Sequence, residues 1–172
     1  ADEDGCVTVP GGLTAGSYFA REVCAPAGYA RCEAPIPFEV EADDDRIRLE
    51  VPNEPTALEI RKTDPTGAPL SDARFRLENA EGGICRFAQL DGVYRPSSEG
   101  NPILRSDENG LVRIHALPVG DYRLIETEAP AGYLLPSESS VPIAIGIRSR
   151  VSAPAALTLK NEPEPTPTPE QI

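Results

Sequence analysis

The sequence has no tryptophan, no methionine and a single histidine, His115, and aromatic residues fill only 5% of its 172 positions. No apolar run approaches the roughly 18 residues of a membrane-spanning helix, so membrane insertion is not expected. The N-terminal ADEDGCVTVP lacks the basic-then-apolar layout of a signal peptide. No basic stripe exists to neutralise phosphates, and the net charge is −12, from 16 basic and 28 acidic residues. Nucleic-acid binding is therefore excluded as a partner class. The four cysteines form no CxxC pair, which with one histidine argues against zinc. Asp43-Asp44-Asp45 lacks the spaced oxygen ligands of a calcium loop and reads as a turn. No metal and no cofactor is expected. There is no GxSxG, and His115 lies in an alternating segment in step with Leu111 and Arg113, so an enzyme with turnover is not expected either.

What the chain does have is backbone punctuation: 19 prolines and 14 glycines. Neither residue is tolerated inside long helices, which leaves a strand-rich, turn-rich protein. Hydrophobic residues at 40% suffice for one or two small cores. The acidity is uneven: residues 1–54 carry 12 acids and 4 bases, while 55–161 carry 13 and 12. Cys24 and Cys32 flank the turn-forming APAGYAR, and two readings stay open there, a disulfide across the turn or separate thiols.

The chain also repeats itself. SYFAREVCAPAGY (17–29) matches DYRLIETEAPAGY (121–133) at a constant offset, pairing Tyr18 with Tyr122, Glu22 with Glu126, Gly28 with Gly132 and Tyr29 with Tyr133. Upstream, GCVTVPGGL (5–13) matches GLVRIHAL (110–117) with one insertion, and downstream RLEVPNEP (48–55) echoes LTLKNEP (157–163). These are two copies of one module. The second copy spans 55–163 and has the size of a domain. The first, 1–54, holds only the C-terminal half of a module, too little to bury a core alone, so the expectation is a fragment that begins inside a domain. The tail 164–172, rich in alternating proline, predicts an extended spacer.

Within the complete copy, period-two patterns predict strands over 57–62, 73–78, 110–117, 121–126, 140–147 and 155–161, separated by turn signals. Six or seven short strands of this kind predict an all-β, immunoglobulin-like sandwich. The stretch 79–106 reads as a long hairpin or excursion without an assigned partner.

Three polar residues continue the apolar rows of their strands: Lys62 after Leu58 and Ile60, Glu126 after Tyr122 and Leu124, and Asn161 after Leu157 and Leu159. Two readings are open. Strand ends meet solvent, where such side chains reach water; or an amine, a carboxyl and a carboxamide converge in the core. Burial would then shift the pKa values by roughly 3–5 units toward neutrality. A neutral amine is a nucleophile, a protonated carboxyl can shuttle protons, and the Asn161 side-chain carbonyl is the electrophile. The product would be a Lys–Asn isopeptide bond, with loss of ammonia.

The pattern LEIRKTDPTGAPLSDARFRL … DENGLVRIHALPVGDYRLIETEAPAGY … LTLKNEP resembles the Cna protein B-type (SpaA-like, prealbumin-like) domains of Gram-positive surface adhesins and pilins. The marks are a Lys followed by x-Asp-x-x-Gly, an E-T-x-A-P-x-G-Y box, and a last strand ending in Asn. The resemblance implies a prealbumin-like sandwich in which Lys62 bonds to Asn161 with Glu126 as proton shuttle. The first copy keeps Glu22 and Asn53 but has no partner lysine in this chain, and reads EVCAP where the family has ETxAP. The implied role is a stalk module of a cell-wall-attached, extracellular surface protein, with tandem modules as its neighbours. The alternative is an adhesin domain whose 79–106 excursion contacts a host or extracellular-matrix ligand.

Overall fold

The computed structural model describes residues 5–9, 11–44 and 46–166, and among these every regular element is a strand. The proline-rich stretch predicted as a spacer lies outside the described residues from 167 onward, as does Asp45 of the acidic run. Just before it, Glu41–Asp44 is a turn, closed by Asp44 N–H on Glu41 O at 3.3 Å and by Glu41 N–H on Asp44 Oδ2 at 2.8 Å. The chain divides into two compact units, one of 1–23 with 32–52 and one of 24–31 with 53–172.

The smaller unit is built on two antiparallel strands, β1 (Gly16–Ala20) and β2 (Ile36–Val40), with Tyr18 opposite Phe38 and their rings stacked at 5.6 Å. The larger unit is a sandwich. One sheet runs β10-β9-β4-β7, from Ser140–Ile145, Gly120–Glu128, Arg74–Asn79 and Leu104–Arg105. The other runs β11-β3-β8-β6-β5, from Ala155–Lys160, Ala57–Thr63, Leu111–His115, Val93–Pro96 and Phe87–Leu90. The inward rows are those the alternation gives: Leu58 and Ile60 of β3, Phe75 and Leu77 of β4, Val112 and Ile114 of β8, Leu124 of β9, Ile143 and Ile145 of β10. Alternate side chains of a strand face opposite sides, so one face of each sheet builds the shared core and the other stays polar.

Most ladders are antiparallel, but β11 lies parallel to β3, with Leu159 opposite Lys62 and Lys160 opposite Thr63. The first and last strands of the unit are therefore neighbours that run the same way, and their C-terminal ends meet. This register places the site.

The 79–106 stretch is woven into both sheets. β5 and β6 form a hairpin across the tight turn Asp91-Gly92, whose two residues have φ of 50° and 76°, and β6 joins β8 in parallel. β7 then crosses to β4 in the opposite sheet. Phe87, Tyr94 and Leu104 from this stretch are core residues, with the two rings edge to face at 6.3 Å. The irregular spacing of these three apolar anchors explains why alternation alone assigned no partner. Since Phe87 is 2% exposed, Phe87→Ala should lower the unfolding free energy by about 3–5 kcal/mol, measured by denaturant titration with an unchanged m-value.

Candidate functional site

Three backbone contacts hold the ends of three strands together. Lys62 N–H donates to Gly110 O at 2.7 Å, Asn161 N–H to Thr63 O at 3.1 Å, and Glu126 N–H to Ser139 O at 2.8 Å. Gly110 ends the Asp-Glu-Asn-Gly turn at φ 71°, and a Cβ there would stand 2.3 Å from Lys62 O. Only glycine allows this approach without displacing the strand that carries the lysine.

The side chains complete the arrangement. Lys62 Nζ donates to Glu126 Oε2 at 2.7 Å, and Asn161 Nδ2 donates to Glu126 Oε1 at 2.9 Å and to Leu134 O at 2.9 Å. One carboxylate thus bridges the amine and the carboxamide. Lys62 is 0%, Glu126 4% and Asn161 1% exposed. The solvent-facing reading of these strand ends is therefore overturned: the rows continue inward because the two sheets cover the strand ends as well as their middles. Phe75 forms an apolar wall, its ring centroid 5.9 Å from Nζ. Asn161 Oδ1 is buried with no hydrogen-bond partner. Burial holds the Lys62 amine below its ordinary value, and the bond to Glu126 offsets only part of that effect.

Two parts of the site were not legible in the sequence. Leu134 acts through its main-chain carbonyl, which no residue type announces. Gly110 closes a turn, and no residue type announces that its carbonyl seats the lysine strand.

The first copy has related pieces. Asn53 Nδ2 donates to Ala30 O at 3.0 Å, the counterpart of Asn161 on Leu134 O. Glu22 Oε2 accepts from Cys32 N–H at 2.6 Å. Cys24 and Cys32 are separate thiols in the structure, donating to Ala25 O and Ala34 O respectively, so the disulfide reading is not the one adopted.

The lysine makes stability pH-dependent wherever it remains a free amine. An unfolded lysine keeps its proton to about pH 10.5 and the folded one gives it up earlier, so between these points the unfolded chain binds more protons. Stability then rises with pH. Tyr122, pushed up to about 12 mainly by burial, has the opposite effect above its ordinary value of 10.0, which caps the window. In an Asn161→Ala background, unfolding free energy should climb as pH rises toward about 10, and adding Lys62→Met should flatten the slope. Parallel slopes in the two proteins would refute the assignment.

A family model described as SpaA, prealbumin-like fold domain, matches residues 1–55 and again 56–162. A collagen adhesin of Staphylococcus aureus is 30% identical over 89 residues, covering 51% of this chain and 7% of that protein. The minor pilin GBS52 of Streptococcus agalactiae superposes with a TM-score of 0.54 at 24% identity, covering 93% of this chain and 65% of the pilin. The C-terminal domain of the shaft pilin spaA of Lactobacillus rhamnosus GG gives 0.50 at 17%, covering 63% of this chain and 98% of that domain. The chain thus spans less than two thirds of the adhesin and of the minor pilin, and at these identities the two pilins report on fold. With both stretches matched, the chain belongs to the SpaA prealbumin-like fold family.

Proposed function

We propose that the 55–163 module is a covalently locked stalk module, closed by an autocatalytic amide between Lys62 Nζ and Asn161 Cγ. The observation that carries this reading is the single buried carboxylate of Glu126 shared by amine and carboxamide. Burial favours the neutral amine, and a proton leaving Nζ has Glu126 Oε2 at hydrogen-bond distance. The neutral nitrogen attacks Cγ of Asn161. The carboxyl gives its proton to Nδ2, the carboxylate so formed takes the second proton from the bonded Nζ, the Cγ–Nδ2 bond breaks, and the nitrogen leaves as ammonia, or as ammonium once it takes that last proton from Glu126. Leu134 O and Glu126 Oε1 both accept from Nδ2, so the amide is turned with its leaving nitrogen toward the proton carrier. One nitrogen is exchanged for another and no oxidant or cofactor is needed. Glu126 acts once, on its own chain.

The bond would link residues separated by 99 positions, worth on the order of 4–5 kcal/mol through the unfolded state. Tension arriving at β3 would pass through Lys62 to Asn161 and leave, with 63–160 bypassed. Modules of this kind in series suit a stalk that holds a binding domain away from a cell wall, which is where we place the chain.

Intact-protein mass spectrometry tests the bond. The expected mass is that of the sequence less one ammonia, with a Lys62–Asn161 linked peptide after digestion, and Glu126→Ala should fold yet keep the ammonia. An unmodified wild-type mass would sink the proposal.

A second reading is favoured by the collagen adhesin relative: matrix binding through the 79–106 segment, where Leu90 is 68% exposed at the hairpin tip. Leu90→Asp should then abolish adhesion to collagen without moving Tm; unchanged adhesion, or none in the parent, removes this reading.

A further inference from the structure

The two outer faces of the sandwich carry their charges differently. Three arginines of the four-stranded sheet are matched one to one with acids. Arg74 Nη1 lies 2.8 Å from Glu128 Oε2, Arg76 Nη2 2.9 Å from Glu78 Oε1 and Arg105 Nη2 2.6 Å from Asp72 Oδ1. On the five-stranded sheet the outward residues include Arg61, Arg95, Arg113, Lys160 and His115, and the one acid among them is Glu59. Glu59 comes no closer than 3.7 Å to Arg61 and 3.9 Å to Arg113, while Asp107, from the turn before β8, meets Arg113 Nη1 at 3.3 Å. Arg95 and Lys160 are exposed and make no ion pair among the described residues.

Ladder register sets these cations in a line. Arg61 stands opposite Leu111, two residues before Arg113 on β8, and Thr158 stands opposite Arg61, two residues before Lys160 on β11. Val93 stands beside Arg113, two residues before Arg95 on β6. From Arg95 to Arg113, to Arg61, to Lys160, each step is therefore one strand across and two residues along, always in the same direction. Strand spacing and rise make each step roughly 8 Å and the whole line roughly 25 Å. The sequence shows no basic run because the four cations come from four separate strands.

Beside the line lies a hollow of about 260 Å³ with Ala57, Glu59, Arg113, His115, Val151 and Pro154 in its walls. Burial, and then the charges of Arg95 and Arg113, hold the His115 imidazole below its ordinary value, so an uncompensated positive field is already felt there. None of the outward positions of the five strands is aromatic, so a nucleic-acid base has no ring to stack on. The line crosses strands whose main-chain groups are already paired in the ladders, so an extended peptide has no edge to join. A sugar chain needs neither.

We propose that the outer face of the β11-β3-β8-β6-β5 sheet binds a linear anionic polysaccharide. Its sulfate or carboxylate groups meet Arg95, Arg113, Arg61 and Lys160 in turn, and a sugar ring enters the hollow at His115. Guanidinium groups suit such anions, since one fork holds two oxygens of the same group. The long, half-exposed contacts of Glu59 are weak enough for the ligand to displace. With a net charge of −12 the chain repels a polyanion elsewhere, which confines binding to this face. The site shares no residue with Lys62, Glu126 and Asn161 and takes only Arg95 from 79–106, so it is independent of both readings above.

Isothermal titration calorimetry of the 172-residue chain at low salt tests it, with size-defined heparin oligosaccharides and, for carboxylates alone, hyaluronan oligosaccharides. Binding to at least one is expected, and it should weaken as salt is raised. Arg95→Gln and Lys160→Gln, with unchanged circular dichroism, should each weaken binding several-fold and lower the salt slope by about one. Glu59→Gln should tighten it. Arg74→Gln removes the same charge from the opposite sheet and should change nothing. The imidazole resonances of His115, the chain's only histidine, should move during the titration. No binding to either glycan, an equal loss with Arg74→Gln, or unmoved His115 resonances overturns the proposal. So does a single-stranded oligonucleotide or polyglutamate that binds as tightly as the glycan.

Discussion

A lysine amine cut off from water must find its electrostatic stabilisation within the protein, and here that demand falls on one carboxylate. Lys62 Nζ has Glu126 Oε2 at 2.7 Å on one side and the Phe75 ring on another. Such a pair carries a large desolvation cost, and its geometry must be good to recover it. The surrounding architecture serves that requirement. β3 is held at Lys62 by Gly110, β11 is registered so that Asn161 follows Thr63, and β9 is tied at Glu126 to Ser139. A shift of one residue in any of the three strands would turn its polar terminus to the opposite face.

The repeat has a second layer beneath its sequence. Counted along the chain, the first A-P-x-G-Y loop belongs to the first copy; by packing, 24–31 belongs with 53–172. Thr56 explains why. It is fully buried immediately before β3, and its hydroxyl and amide both engage Gly28 O. The strand that leads to Lys62 therefore starts from a knot tied with the preceding loop, and the covalent boundary and the structural boundary differ by a loop's length.

The fold was legible where chemistry is periodic. Leu58-x-Ile60-x-Lys62 and Leu124-x-Glu126 state their face by alternation, and the structure keeps that face inward to the last residue. Whether the polar termini were wet or dry was not legible, because alternation gives the side of a sheet and says nothing of what covers its end. Phe87, Tyr94 and Leu104 escaped assignment since each anchors a strand of four residues or fewer, too short to display a period. The Leu134 carbonyl could not be read at all: a main-chain acceptor is common to every residue, and only the path of the chain after Tyr133 aims it at Asn161. The repeat itself offered an indirect signal, since Asn53 meets Ala30 O in the same manner.

The parallel register of β3 and β11 has a mechanical meaning even for a module whose side chains stay unlinked. Pulled from its two ends, an antiparallel terminal pair opens like a zipper, one rung at a time. Here the ends of the chain draw β3 and β11 past each other along their length, so the rungs from Ala155–Leu58 to Lys160–Thr63 are strained together in shear. Rupture then requires several hydrogen bonds to fail at once, and the direction of pulling, more than the number of bonds, sets the resistance of the fold.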